Sequence, residues 1–241
     1  MRVIKVKDYN EMSEVAAHFI ASQVMLNPKS VLGFATGSTP IGTYEKIVDL
    51  YQKGIVSFSG CTAFNLDEYI GLLSDDPQSY AFFMKENLFK HVDFEPMKIN
   101  IPNGNHMDVE AECIQYEKSI EAKGGIDLQL LGIGRNGHIG FNEPDVKFEA
   151  LTHEVFLDED TIQANARFFE SIDQVPKRAI SMGLKSIMHS KKILVLASGE
   201  EKAEAVAKMV QGPVIPSLPA SVLQLHPDVV LIVDEAAGRQ L

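Results

Sequence analysis

The sequence predicts an α/β protein with a mostly parallel central sheet, helices on both faces and a Rossmann-like, doubly wound layout. Three observations carry this. Short apolar runs alternate with helix-period segments along all 241 residues. Two runs, at 31–34 and 229–233, are continuously apolar, as strands buried on both faces must be. No repeat, low-complexity tract or Pro/Gly-rich linker interrupts the alternation, so residues 1–241 read as a single domain.

Taken in order, residues 3–6 read as a strand. Asp8 then caps a helix with apolar side chains at Met12, Val15, Ala16, Phe19, Ile20 and Val24, a 3.6-residue period. Residues 31–34 form the next strand. Ala35-Thr36-Gly37-Ser38-Thr39-Pro40 leads from it into a second helix, with Ser38 or Thr39 as N-cap and Pro40 at the first helical position. A third strand, 62–66, ends at Asp67-Glu68-Tyr69. A helix over 77–89, a strand over 98–101, a turn at Asn103-Gly104 and a helix over 108–123 closed by Gly124-Gly125 follow. Residues 126–131 are the clearest strand. A strand at 151–157, a helical stretch to about Arg167, strands at 178–182 and 192–197, a helix at 200–210 and a strand at 229–233 complete the series.

Composition narrows the function. The formal net charge of −11 argues against nucleic acid and against an anionic membrane surface. A small anionic substrate remains open, because a few local donors outweigh a distant net charge. No apolar stretch approaches the length of a membrane span, and the N-terminus lacks the apolar run of a signal peptide. The two cysteines, Cys61 and Cys113, have no Cys-x-x-Cys spacing, which fits a reducing, cytoplasmic location. The seven histidines are scattered, with no His-x-x-x-His pair and no cysteine cluster, so no metal is expected.

In a parallel sheet, ligands bind beyond the carboxyl ends of the strands. Three such stretches stand out. Residues 35–40 put small and hydroxyl side chains ahead of a helix, where free N–H groups and the helix dipole suit a phosphate. Taken alone, the stretch reads equally as a capped turn. Asp67 and Glu68 place two carboxylates at a strand end. Either can be a general base, or both can belong to a solvated loop or a helix cap. The richest stretch is Gly132-Ile133-Gly134-Arg135-Asn136-Gly137-His138-Ile139-Gly140-Phe141-Asn142-Glu143-Pro144. Its glycines match the spacing of a dinucleotide fingerprint, but that motif opens an amphipathic helix, and here more glycine and a proline follow. The glycines read instead as a loop that lets a substrate approach the backbone. His138 and Glu143 then make an imidazole–carboxylate pair able to shuttle protons. Arg167 and Lys202 are possible anion partners or plain surface charges.

Together these stretches resemble the glucosamine-6-phosphate deaminase (glucosamine-6-phosphate isomerase) family. The resemblance covers essentially the whole chain. It rests on 35–40, on Phe64-Asn65-Leu66-Asp67-Glu68-Tyr69-Ile70-Gly71, on Gly137-His138-Ile139-Gly140-Phe141-Asn142-Glu143-Pro144, on Asn165-Ala166-Arg167-Phe168-Phe169 and on Leu223-Gln224-Leu225-His226-Pro227. Each is weak alone, while all five in this order are specific. The resemblance implies conversion of glucosamine 6-phosphate and water to fructose 6-phosphate and ammonia, without metal or organic cofactor. It implies Asp67 as the base that takes the C2 proton and returns it at C1. His138 is implied as the acid/base that opens the pyranose ring, and Glu143 as its supporting carboxylate. Gly37, Ser38, Thr39, Gly134, Arg167 and Lys202 match substrate- and phosphate-binding positions. Asn136 departs from the pattern: well-known members carry Asp there, and Asn can orient an imidazole but supplies no charge. The segment 160–186, carrying Arg167, is expected to form a lid. Residues 149–157 hold no Lys or Arg, and the chain stops at Leu241 without a longer tail, so a short, non-allosteric, monomeric form is expected.

Two rival readings remain. A 6-phosphogluconolactonase shares a related fold and needs a histidine but no enolisation base. A sugar-phosphate sensor of this architecture would carry a helix-turn-helix segment, for which no chain is left.

Overall fold

The computed structural model describes residues 1–157, 162–163, 171 and 174–241. Among these, seven strands form one sheet: β1 (Arg2–Val6), β2 (Val31–Phe34), β3 (Thr62–Asn65), β5 (Ile99–Asn100), β6 (Leu128–Gly132), β9 (Ile193–Ala197) and β10 (Val229–Asp234). Their order is β1-β10-β9-β6-β2-β3-β5, and every neighbouring pair is parallel. β9 and β10 are buried at every residue, as the apolar runs Ile193–Ala197 and 229–233 require, and burial extends to Asp234 at the end of β10.

Alternate side chains along these strands feed two separate cores. Leu32, Leu130, Leu194 and Ile232 pack on one face with Met12, Ile20 and Ile47 of helices α1 (Tyr9–Leu26) and α2 (Ile41–Gln52). Phe34 on that face meets Tyr44, Phe89 and Phe94 edge to face. Val31, Leu131, Val195 and Leu231 pack on the other face, against Tyr116 and Ile120 of α4 (Val109–Ala122) and Val206 and Met209 of α6 (Ala203–Gln211). The Asp8 carboxylate caps α1 by accepting from Glu11 N at 3.0 Å, as its sequence position predicts.

A second sheet departs from the expectation of one. β4 (Asp67–Tyr69), β8 (Arg178–Ser181) and β7 (His153–Phe156) pair antiparallel in the order β4-β8-β7. Periodicity reveals that a strand exists but not its partner. The mixed polar content of β7 suits a sheet with one wet face. Asp67 and Glu68 therefore stand in a strand of their own, not in a solvated loop. The end of the range expected to form a lid holds β8, the central strand here, and the start of α5 (Leu184–Met188). The rest of that range, including Arg167, lies largely outside the described residues.

The chain runs from β2 outward to β3 and β5, then returns to place β6 on the opposite side of β2 and continues to β9 and β10. The direction of winding thus reverses between β2 and β6, and the carboxyl ends of these strands flank a crevice.

Candidate active site

A cavity of about 580 Å³ opens at that reversal. Its wall comes from the turn after β2, from Leu66 and Asp67, from Tyr80, from the loop after β6 and from Lys202 after β9. Of the residues singled out in the sequence, Gly37, Ser38, Thr39, Asp67, Gly134, Asn136, His138 and Lys202 line it. Glu143 sits behind His138. Arg167 lies outside the described residues.

The turn after β2 is held by tyrosines. The Tyr44 hydroxyl donates to Ala35 O from beneath. Tyr9 of α1 donates to Ser38 O at 3.1 Å and accepts from Gly42 N at 2.8 Å. This corrects the capping expectation: Pro40, not Ser38 or Thr39, is the N-cap, and no side chain of the α2 start bonds the first turn. The Tyr9 hydroxyl reaches the N–H that an N-cap side chain would take, so the cap comes from another helix.

Asp67 is 5% exposed. Burial, with the Glu68 carboxylate beside it, pushes its carboxyl up to about 8, only partly offset by the Thr36 hydroxyl at 3.5 Å. Successive strand residues face opposite ways, and the neighbouring Glu68 points elsewhere. It accepts from Tyr69 N at 2.8 Å, and from Tyr80 N at 2.9 Å and Ala81 N at 2.8 Å at the start of α3 (Tyr80–Asn87). Burial raises its pKa while these three donors hold it down. The pair thus divides: Asp67 faces the cavity, and Glu68 anchors the helix that brings in Tyr80. The Tyr80 hydroxyl lies 3.2 Å from that of Tyr69. Tyr80 and Thr36 were not singled out in the sequence. Thr36 shared the glycine turn and could have been, whereas nothing local marks Tyr80.

The loop after β6 is closed on itself by Gly134 N donating to His138 O at 2.9 Å and Gly137 N to Gly134 O at 3.0 Å. A Cβ on Gly134 would fall 2.4 Å from the imidazole, so only glycine lets the ring lie against this backbone. His138 Nδ1 stands 3.2 Å from Glu143 Oε2, with side chains 26% and 8% exposed. The contact is within ion-pair reach but off the line of a straight hydrogen bond. Asn136 meets Glu143 rather than the imidazole: its Nδ2 donates to Oε2 at 2.9 Å, and its Oδ1 accepts from the His138 backbone N–H at 3.2 Å. One oxygen of Glu143 therefore faces both the ring and the amide. Farther along, Phe141 N donates to Ser181 Oγ at 3.0 Å, and Asn142 Nδ2 to Met182 O at 2.9 Å, fastening the loop to the end of β8.

A buried carboxylic acid and a histidine–glutamate pair across one polar crevice make this an acid–base site for a small ligand. Residues 8–231 match the family described as glucosamine-6-phosphate isomerases/6-phosphogluconolactonase, and the chain belongs to that family. It is 58% identical over 241 residues to a glucosamine-6-phosphate deaminase of Clostridioides difficile strain 630, covering 100% of this chain and 97% of that one. It is 55% identical to a glucosamine-6-phosphate deaminase of Clostridium acetobutylicum, with both chains covered in full. A solved structure described as a monomeric glucosamine-6-phosphate deaminase superposes with a TM-score of 0.98 at 50% identity, over 100% of both chains. A 6-phosphogluconolactonase from Trypanosoma cruzi shares the fold, with a TM-score of 0.79 at 17% identity, over 100% of this chain and 96% of that one.

Proposed function

We propose that this protein converts glucosamine 6-phosphate and water to fructose 6-phosphate and ammonia. The observation that carries the reading is Asp67, a buried carboxyl facing the crevice that also holds His138. The names of the more similar relatives support it.

In this reading, His138 moves a proton between O1 and O5 and opens the pyranose ring. Glu143 holds the imidazole and balances its charge when protonated; the Asn136 amide keeps that carboxylate in place. Asp67, as carboxylate, takes the C2 proton, leaving an enolamine, and returns the proton at C1. The resulting C2 imine adds water and releases ammonia, leaving the ketose. Ring opening, enolisation, addition of water and loss of ammonia are all within reach of acid–base catalysis, so no metal or organic cofactor is needed. A base pushed up to about 8 is matched to work near neutral pH. Gly37, Ser38, Thr39, Gly134, Arg167 and Lys202 form the substrate and phosphate grip, which lets an acidic protein bind a dianion through local donors. Cytoplasmic location and a monomeric, non-allosteric state belong to the same reading. The free, buried Cys61 and Cys113 suit the first, and the description of the solved relative suits the second.

A lactonase also needs a histidine but has no carbon proton to remove, so Asp67 favours the deaminase over it. Incubation with glucosamine 6-phosphate should release ammonia and fructose 6-phosphate in equal amounts. Turnover of 6-phosphogluconolactone instead would overturn the proposal.

A further inference from the structure

We propose that Asp234, at the end of β10 and absent from the cavity wall, is a positioning residue that sets Lys202 for the substrate phosphate. The inference rests on the phosphate grip proposed above.

β9 ends at Ala197, and the chain must turn sharply to bring Lys202 back over the crevice. The turn has little of its own to hold it. Gly199 takes a φ of +96°, and the short 3₁₀ turn Glu200–Lys202 has no side-chain cap. Its stiffness comes from the neighbouring strand. Asp234 is buried, and its carboxylate accepts from Ser198 Oγ at 2.5 Å and from Gly199 N at 3.0 and 3.2 Å. It also accepts from Ala237 N at 2.7 Å, which fixes the carboxylate itself. Lys202 N in turn donates to Gly199 O at 3.1 Å, so the residue whose N–H Asp234 holds also supplies the carbonyl that closes the lysine turn. A further tie, the Arg239–Glu200 ion pair, lies in solvent and fixes little.

Asp234 thus acts on binding through backbone placement. A small displacement of Lys202 weakens the grip without touching Asp67 or His138. An acceptor is required here: a carboxamide would turn a donor toward the Gly199 N–H or the Ala237 N–H.

The test compares Asp234→Asn, Ser198→Ala, Lys202→Met and the double variant Asp234→Asn/Lys202→Met. The readouts are kcat, KM for glucosamine 6-phosphate, and the inhibition constant of inorganic phosphate. Asp234→Asn should raise KM and the phosphate constant together, about tenfold, with kcat within about threefold of the parent. Ser198→Ala should do the same to a smaller extent, and carries the test should Asp234→Asn fail to fold. In the Lys202→Met background the Asp234→Asn effect should vanish, because both act through one group. If Lys202→Met itself changes neither constant, the phosphate grip is wrong and the inference falls with it. If Lys202→Met raises both but neither Asp234→Asn nor Ser198→Ala does, the inference alone is wrong. A loss in kcat with unchanged KM, or full additivity in the double variant, also overturns it.

Discussion

Replacing Asp67 with Asn should destroy activity and stabilise the protein, the more so the higher the pH. The carboxyl ordinarily titrates at 3.8 and is pushed up to about 8 in the folded chain by burial and by Glu68. For an acid raised in this way, the folded state holds its proton longer than the unfolded state. Stability is therefore greatest below the ordinary value and is lost as pH rises toward 8. At pH 6 the unfolded carboxyl is ionised and the folded one is not, which costs about 3 kcal/mol relative to a neutral side chain. By pH 9 the folded carboxyl is ionised in its dry site, and the cost reaches about 5.5 kcal/mol. Asn carries neither cost and keeps the Thr36 hydroxyl a partner. The stability gap between Asp67→Asn and the parent should thus widen by roughly 2.5 kcal/mol between pH 6 and pH 9. For a domain of this size that is roughly 5–10 °C in Tm. Urea titrations at the two pH values, compared at constant m, measure the change. A gap that does not vary with pH would show that Asp67 is already ionised at pH 6, and the burial argument would fail.

Further outcomes follow from the site and its supports. Asn136→Asp puts a second carboxyl where an amide now lies 2.9 Å from Glu143 Oε2; the two should share a proton, and the pH profile of kcat/KM should gain an ionisation absent from the parent. Gly134→Ala drives a methyl into the imidazole. It should lower kcat on the order of 100-fold, and a near-parental rate would show that the His138 ring position is not needed. Glu117 of α4 accepts through one oxygen from Thr152 N at 2.7 Å, Thr152 Oγ1 at 2.6 Å and Ser186 Oγ at 2.6 Å. It ties both ends of the β7–β8 region to α4, so Glu117→Ala should cost roughly 2–3 kcal/mol in denaturant unfolding.

The main sheet was legible because its central strands are largely apolar, with β6 closing on Gly132, β9 followed by Ser198 and β10 ending on Asp234. β9 and β10 could hardly be anything else. The second sheet was not: β7 and β8 announce themselves as strands, but the antiparallel pairing of β8 with Asp67–Tyr69 depends on contacts more than a hundred residues apart. Asp67 and His138 could be read from their places after strands, together with the motif resemblance. The division of labour between Asp67 and Glu68 follows from strand alternation once Asp67–Tyr69 is known to be a strand. Tyr80 enters the site only because Glu68 holds its helix, and the Tyr9 cap joins α1 to α2. Ser38 and Thr39 look like caps by sequence because capping and ligand binding draw on the same hydroxyl chemistry. Asn136 was expected against the imidazole and instead meets Glu143, since the turn at Gly134–Gly137 brings the loop back on itself.

The central claim is that Asp67 removes the C2 proton of the sugar. Glucosamine 6-phosphate carrying deuterium at C2, given to the parent enzyme and to Asp67→Asn, tests it directly by NMR. The parent should lose the label from C2 and either carry it to C1 of the fructose 6-phosphate or release it to solvent. Asp67→Asn should retain it at C2 even when the ring opens. Label loss from C2 at a comparable rate in Asp67→Asn would contradict the account.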